Sequence, residues 1–163
     1  MALRLPKVKD AAERADPETA RTAAVALLAR RDLSSGMLRE RLRARGFTAE
    51  AAEAVVDALG REGVIDDARY AQNYVMYHSG RGQGPLRIGA ELRKHGVAAA
   101  LIDRALAQGT DWLALARKVR SAKFGPAAPR SWAQRARQAR FLQYRGFSAD
   151  HIRAATGADA ELE

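Results

Sequence analysis

Arg117, Lys118, Arg120, Lys123, Arg130, Arg135, Arg137, Arg140 and Arg145 fall between Trp112 and Ala149, a stretch that holds no aspartate or glutamate. Guanidinium and ammonium groups at this density suit phosphate or carboxylate, so the stretch points to a polyanionic or acidic partner. The rest of the chain carries as many bases as acids, so the net charge of +9 comes from this segment. A merely solvated helix face normally mixes signs, because like charges three or four residues apart each cost ~0.3 kcal/mol. Arg117, Arg120 and Lys123 lie on neighbouring rows of one helix, and Arg137, Arg140 and Tyr144 follow a three-then-four spacing on the next. These nine cations and Tyr144 are the candidate partner- or DNA-binding residues.

Other chemistry-bearing patterns read as structural. Gly80-Arg81-Gly82-Gln83-Gly84 lacks the Lys-Ser/Thr of a nucleotide-binding loop and follows a helix rather than a strand, so it reads as a break between helices. Asp66-Asp67 stands at a helix start, where capping explains the pair better than metal binding or acid/base work. His78, His95 and His151 are scattered, with no spacing that would gather them on a metal. The serines lie at helix ends, in loops or on polar faces, without a base or oxyanion site in sequence context. Tyr70, Tyr74 and Tyr77 share a helical stripe that could stack on bases, although such a stripe more often belongs to a core. The expectation is a non-enzymatic chain with no catalytic, cofactor or metal residues.

Hydrophobic residues at 47% and charged residues at 29% place the 163-residue chain among globular proteins. It has no cysteine, so disulfides and thiolate zinc sites are excluded, in keeping with a reducing cytosol. The most apolar stretch, Ala23 to Ala29, is too short to span a bilayer, and Met1 to Lys7 lacks the apolar core of a secretory signal. A cytoplasmic protein that does not enter the membrane is expected.

The elements that must position the cations are set by an internal repeat. Leu42, Leu92 and Leu142 are 50 residues apart, and each is followed four positions later by glycine and then by Phe47, Val97 or Phe147. A left-handed glycine just past a helix end places that leucine third before the cap, in contact with the apolar residue after the glycine. Thr48 and Ser148 can cap the helix that follows, with Glu50 and Asp150 in its first turn. Each repeat thus contains helix, glycine turn and helix.

Asp16-Pro17 opens a first helix through Arg31, Ser34 or Ser35 caps the second, and the third runs from about Ala49 to Leu59. Asp66 caps the fourth, which the glycines and Pro85 break. Ile88 and Leu92 mark the fifth, and Leu101, Ile102, Ala105 and Leu106 the sixth. Thr110 or Asp111 begins the seventh, with Trp112, Leu115, Ala116 and Val119 at helical spacing. Gly125 to Pro129 is a connector, Ser131 caps an eighth helix reaching Arg145, and Ala149 to Ala155 forms a ninth. The expected fold is all-α, an elongated array of three tandem three-helix repeats with helix-turn-helix-like units. Residues 16–62, 63–109 and 110–158 form the repeats, the last of them basic, between a flexible tail at 1–15 and a second tail at 159–163.

From residue 20 to 156 the chain resembles the RecX family of recombinase regulators. The likeness is carried by Ser34-x-x-x-Leu38-x-x-x-Leu42-x-x-x-Gly46-Phe47, Ile65-Asp66-Asp67-x-x-Tyr70-Ala71, Gly84-Pro85-x-x-Ile88-x-x-Glu91-Leu92-x-x-x-Gly96-Val97 and Phe141-Leu142-x-x-Arg145-Gly146-Phe147. The resemblance implies a partner, the RecA recombinase, free or as its nucleoprotein filament on DNA. It further implies a place in the filament's helical groove and suppression of ATP hydrolysis, strand exchange and co-protease activity. It transfers no catalytic residues. Weak direct DNA contact is compatible with this reading; the rival readings are a direct helical DNA-binding module and a scaffold for another acidic partner. No oligomerisation surface stands out, so a monomer is the default expectation.

Overall fold

The repeated Leu-x-x-x-Gly word closes helices as its chemistry requires. In a computed structural model of the chain, which describes residues 7–157, Phe47 N donates to Leu42 O at 3.3 Å and Gly46 N to Arg43 O at 2.9 Å. Phe147 N and Gly146 N make the same pair to Leu142 O at 3.1 Å and Gln143 O at 3.0 Å. This is the double closure that satisfies two of the otherwise unpaired carbonyls at a helix end. Leu42, Leu92 and Leu142 are fully buried, with Phe47, Val97 and Phe147 beside them in the interior.

Every regular element among the described residues is a helix: α1 (Ala11–Ala15), α2 (Pro17–Leu28), α3 (Ser35–Ala44), α4 (Ala49–Arg61), α5 (Asp67–Gly80), α6 (Pro85–Lys94), α7 (Ala99–Ala107), α8 (Trp112–Phe124), α9 (Trp132–Arg145) and α10 (Ala149–Thr156). Side-chain caps start most of them. Asp16 accepts from Thr19 N, Ser34 from Met37 N, Thr48 from Ala51 N, Asp111 from Ala114 N, Ser131 from Gln134 N and Ser148 from His151 N. Each such cap contributes ~1 kcal/mol. The first long helix stops at Leu28, short of the expected Arg31, because the chain turns there to bury Leu33 and Ser34.

Packing divides the chain into two units. The first comprises the residues up to Tyr70 together with His95–Val97. Its core joins Ala20, Ala24 and Leu27 of α2 to Leu38 and Leu42 of α3 and Ala52, Val55, Val56 and Leu59 of α4. The second comprises Ala71–Lys94 and the residues from Ala98 onward. There Ala116 of α8, Leu142 of α9, Phe147 and Ala155 of α10 form a core, with Leu115, Val119, Phe141 and Ile152 around it.

The units cut across the repeats because glycine turns seat on the start of a neighbouring repeat's second helix. In the first unit, the Ser34 hydroxyl donates to His95 O, and a Cβ on Gly36 would stand 2.8 Å from Gly96 Cα. In the second, Gly84 N donates to Arg145 O at 2.8 Å and Leu86 N to Gly146 O at 3.0 Å. A Cβ on Gly84 would lie 2.4 Å from the Gly146 carbonyl, so only glycine allows this approach. The third turn is closed by the segment before α2: Val8 N donates to Arg45 O at 2.9 Å, and Arg14 Nε to Gly46 O at 2.6 Å. Residues 7–15, expected to fray, thus carry α1, capped by Asp10, and cover the Gly46 turn. The rest of that stretch, 1–6, and the expected tail at 159–163 lie outside the described residues.

At Gly146 two demands coincide, a φ of +95° and a space in which a Cβ would lie 2.3 Å from Arg87 Cβ. At Gly157 φ is +76°, and no atom of the described residues lies within 4 Å of where a Cβ would stand. Gly157→Ala should cost about 1 kcal/mol for its left-handed backbone, and Gly146→Ala at least ~2 kcal/mol, since steric crowding adds to the same penalty. Urea unfolding of the two variants measures the difference.

Candidate partner interface

The acid-free segment folds as α8, a connector and α9, and the connector is held by one of its own cations. Arg120 is only 6% exposed. Its Nη1 donates to Ala127 O at 2.9 Å and to the buried Gln138 Oε1 at 3.2 Å, and its Nη2 to Pro126 O at 3.1 Å and Ser121 Oγ at 3.2 Å. The planar fork of donors satisfies connector carbonyls that packing would otherwise leave unpaired. Arg120 is therefore corrected from a surface binding residue to an internal brace. The sequence carried a signal: Arg120 continues the row of Trp112 and Ala116 at four-residue spacing.

Three of the remaining candidates converge on an aromatic pair. Phe124, at the end of α8, meets Phe141 of α9 edge to face, with ring centroids 5.4 Å apart. The Arg137 guanidinium carbon lies 5.7 Å from the Phe124 centroid, while Arg145 and Lys123 approach Phe141 at 5.4 Å and 6.0 Å. Each cation–ring contact contributes ~0.5–1 kcal/mol at an exposed site, and it fixes the direction of a side chain that would otherwise wander. The outcome is a set of oriented cations, with Lys123 and Arg137 exposed and Arg145 half-buried.

Arg130 and Arg137 also line a cleft of about 390 Å³ with Phe124, Ala127, Gln134 and Gln138. Gln134 shapes its rim by accepting from Arg130 N at 2.8 Å while its own N–H is capped by Ser131. Farther along α9, Arg140 and Tyr144 are exposed, Tyr144 to 77%. Arg87 stacks over Tyr144 at 5.8 Å, which adds to the face a cation the sequence reading missed. Its position in α6, far outside the acid-free run, gave no local clue. Arg117 is exposed on α8 and Arg135 is half-buried on α9. Lys118 lines a different depression, with Ser79, Asp111 and Leu115.

The tyrosine stripe of α5 does not act as one surface. Tyr70 is buried, its hydroxyl 2.9 Å from His95 Nδ1 and 3.3 Å from Met37 Sδ, while Tyr77 is 58% exposed and carries Arg81 against its ring and hydroxyl. Asp66 caps Arg69 N at 3.0 Å, and Asp67 accepts from Ser35 N at 2.7 Å and from its hydroxyl at 2.5 Å, so both carboxylates serve the fold. Among the described residues no three His, Cys, Asp or Glu gather as metal ligands, and no helix is long and apolar enough to cross a membrane.

The chain is similar to known proteins over most of its length. Family models for the first, second and third three-helix domains of RecX match residues 20–59, 66–106 and 110–156. The chain is 45% identical over 145 residues to the regulatory protein RecX of Halorhodospira halophila, covering 88% of this chain and 90% of that one. It is 41% identical over 147 residues to the regulatory protein RecX of Pseudomonas putida, covering 89% and 94%. Its fold is similar to the crystal structure of RecX from Lactobacillus salivarius, with a TM-score of 0.75 at 19% identity over 90% of this chain and 97% of the other.

Replacing Arg120 by Met should lower stability by ~2–3 kcal/mol, because several neutral acceptors lose a charged donor at once. Arg117→Met, on the exposed face, should fall within ~0.5 kcal/mol of the parent chain. Urea unfolding distinguishes the brace from the surface residue, and equal midpoints would contradict the assignment.

Proposed function

The chain belongs to the RecX family of regulatory proteins, and we propose that it binds the RecA recombinase, free or as its DNA filament, and inhibits it without catalysing a reaction. The observation that carries this reading is the acid-free α8–α9 segment, in which Lys123, Arg137 and Arg145 are oriented around Phe124 and Phe141. Cations held in this way lose little further entropy on meeting carboxylates or phosphates, so their charge goes into binding.

Inhibition follows from bridging. A recombinase filament that hydrolyses ATP passes between arrangements of adjacent protomers, and a ligand shifts such an equilibrium only by its differential affinity for the two. A protein seated in the helical groove across two protomers binds one spacing better than the other. It thereby opposes the cycle of hydrolysis, strand exchange and assisted cleavage of repressors. This chain would act as a monomer in the cytoplasm, with its third repeat against acidic protein surface and any direct DNA contact weak.

The rival, a direct DNA-binding module, needs an exposed helix of base-reading groups. In α10 Arg153 is paired to Asp150, and His151 packs edge-on to Phe147 with centroids 6.3 Å apart. Those engagements favour the recombinase reading.

Reversing charge at Arg137 and Arg140 together should weaken inhibition of recombinase ATPase about tenfold, or ~1.4 kcal/mol. A dose–response curve for the doubly substituted chain that overlays the parent's would remove both residues from the mechanism.

A further inference from the structure

We infer that the cleft between the connector and α9 binds the terminal phosphate of a nucleotide, free or at the 5′ end of a strand. This ligand goes beyond the recombinase reading and does not depend on it.

The cleft offers donors and has spent its acceptors. Gln138, at its wall, is only 7% exposed, and its Oε1 accepts from Arg120 Nη1 at 3.2 Å. A guanidinium can only donate, so that bond fixes which end of the amide is oxygen and turns the nitrogen away from Arg120. Among the described residues the Gln138 nitrogen has no partner, yet it is not sealed off, so its two N–H groups serve the cleft that Gln138 lines. The other side-chain acceptor, Gln134 Oε1, is taken by Arg130 N at 2.8 Å, and Ala127 O is taken by Arg120 at 2.9 Å. Backbone donors at the helix start are spent as well, Gln134 N on Ser131 Oγ. What remains is the Gln138 and Gln134 amide nitrogens and the guanidiniums of Arg130 and Arg137, neither of which makes a hydrogen bond or ion pair among the described residues. No acid lines the space.

Such a wall selects an anion rich in acceptors. A carboxylate presents two oxygens and one charge, whereas a terminal phosphate presents three oxygens and a charge of about −1.5 to −2. Arg137 is already steadied on Phe124, with its guanidinium carbon 5.7 Å from the ring centroid, so its fork is set to hold two phosphate oxygens. The volume of about 390 Å³ exceeds what phosphate alone fills and falls within the range of small-molecule sites. Phe124, Ala127 and Ala128 supply the apolar side of the cleft, where a sugar and base can rest.

The test titrates the full isotopically labelled chain with adenosine 5′-monophosphate, adenosine, glutarate and inorganic phosphate. The monophosphate should shift the amides of Phe124, Ala127 and Gln134 and the side-chain amide of Gln138, and bind at least ~10-fold more tightly than adenosine or glutarate. Inorganic phosphate should compete with it. Gln134→Glu should weaken binding at least ~10-fold, while Ala133→Glu, with the same change in charge outside the lining, should stay within about 2-fold. Both variants place an acid in the first turn of α9, which favours the helix, and thermal unfolding confirms that they fold. Adenosine or glutarate binding as tightly as the monophosphate, equal losses in the two variants, or no shift at these amides would overturn the site. Oligothymidylates separate the sources. Shifts at the same amides from the 5′-phosphorylated strand alone assign a strand end, and none from either strand assigns the free nucleotide. Equal shifts from phosphorylated and hydroxyl-ended strands would overturn the terminal phosphate.

Discussion

The structure depends on backbone meeting backbone at glycine. A helix that ends in a left-handed glycine exposes a carbonyl at the preceding residue, and in each repeat that carbonyl, of Arg45, His95 or Arg145, accepts a bond from an element of another segment. The donors differ, being Val8 N, the Ser34 hydroxyl and Gly84 N, while the acceptor position recurs every 50 residues. A Cβ does not fit at Gly36, Gly84, Gly96 or Gly146, so the joints tolerate little substitution there and fix distance well. A three-helix module of about 50 residues buries too little apolar surface to stand alone, and such joints are how it borrows stability from neighbours.

That constraint governs the basic segment too. Gly146 places the end of α9 against the start of α6, while Arg120 draws the connector carbonyls of Pro126 and Ala127 in toward Gln138. Between these two fixed points α9 presents Arg137, Arg140 and Tyr144 outward. One charge spent internally thus sets the geometry of those left for a partner, and the Phe124–Phe141 pair narrows the directions they take.

Local grammar was legible in the sequence, and long-range pairing was not. Asp16, Thr48, Ser131 and Ser148 cap the helices they were read to cap, because the hydrogen bond involved spans only two or three residues. The leucine before each glycine is buried for the same local reason. What each turn would touch depends on residues tens of positions away, so neither the Gly84–Gly146 contact nor the Arg87–Tyr144 stack could be read from spacing. Arg120 was misread by residue type, since arginine is rarely this buried unless it is paired, although the row it continues pointed inward. The short α1 went unseen because five residues carry too little periodicity, even with Asp10 placed to cap it.

The central claim is that α8, the connector and α9 meet the partner. Hydrogen exchange of the full chain, alone and bound to recombinase filament assembled on single-stranded DNA, tests it directly. The account predicts added protection over residues 120–145 and the α6 start at 84–88, with α2 and α4 unchanged. Protection concentrated in α2 and α4, with α8 and α9 exchanging as in the free chain, would contradict it.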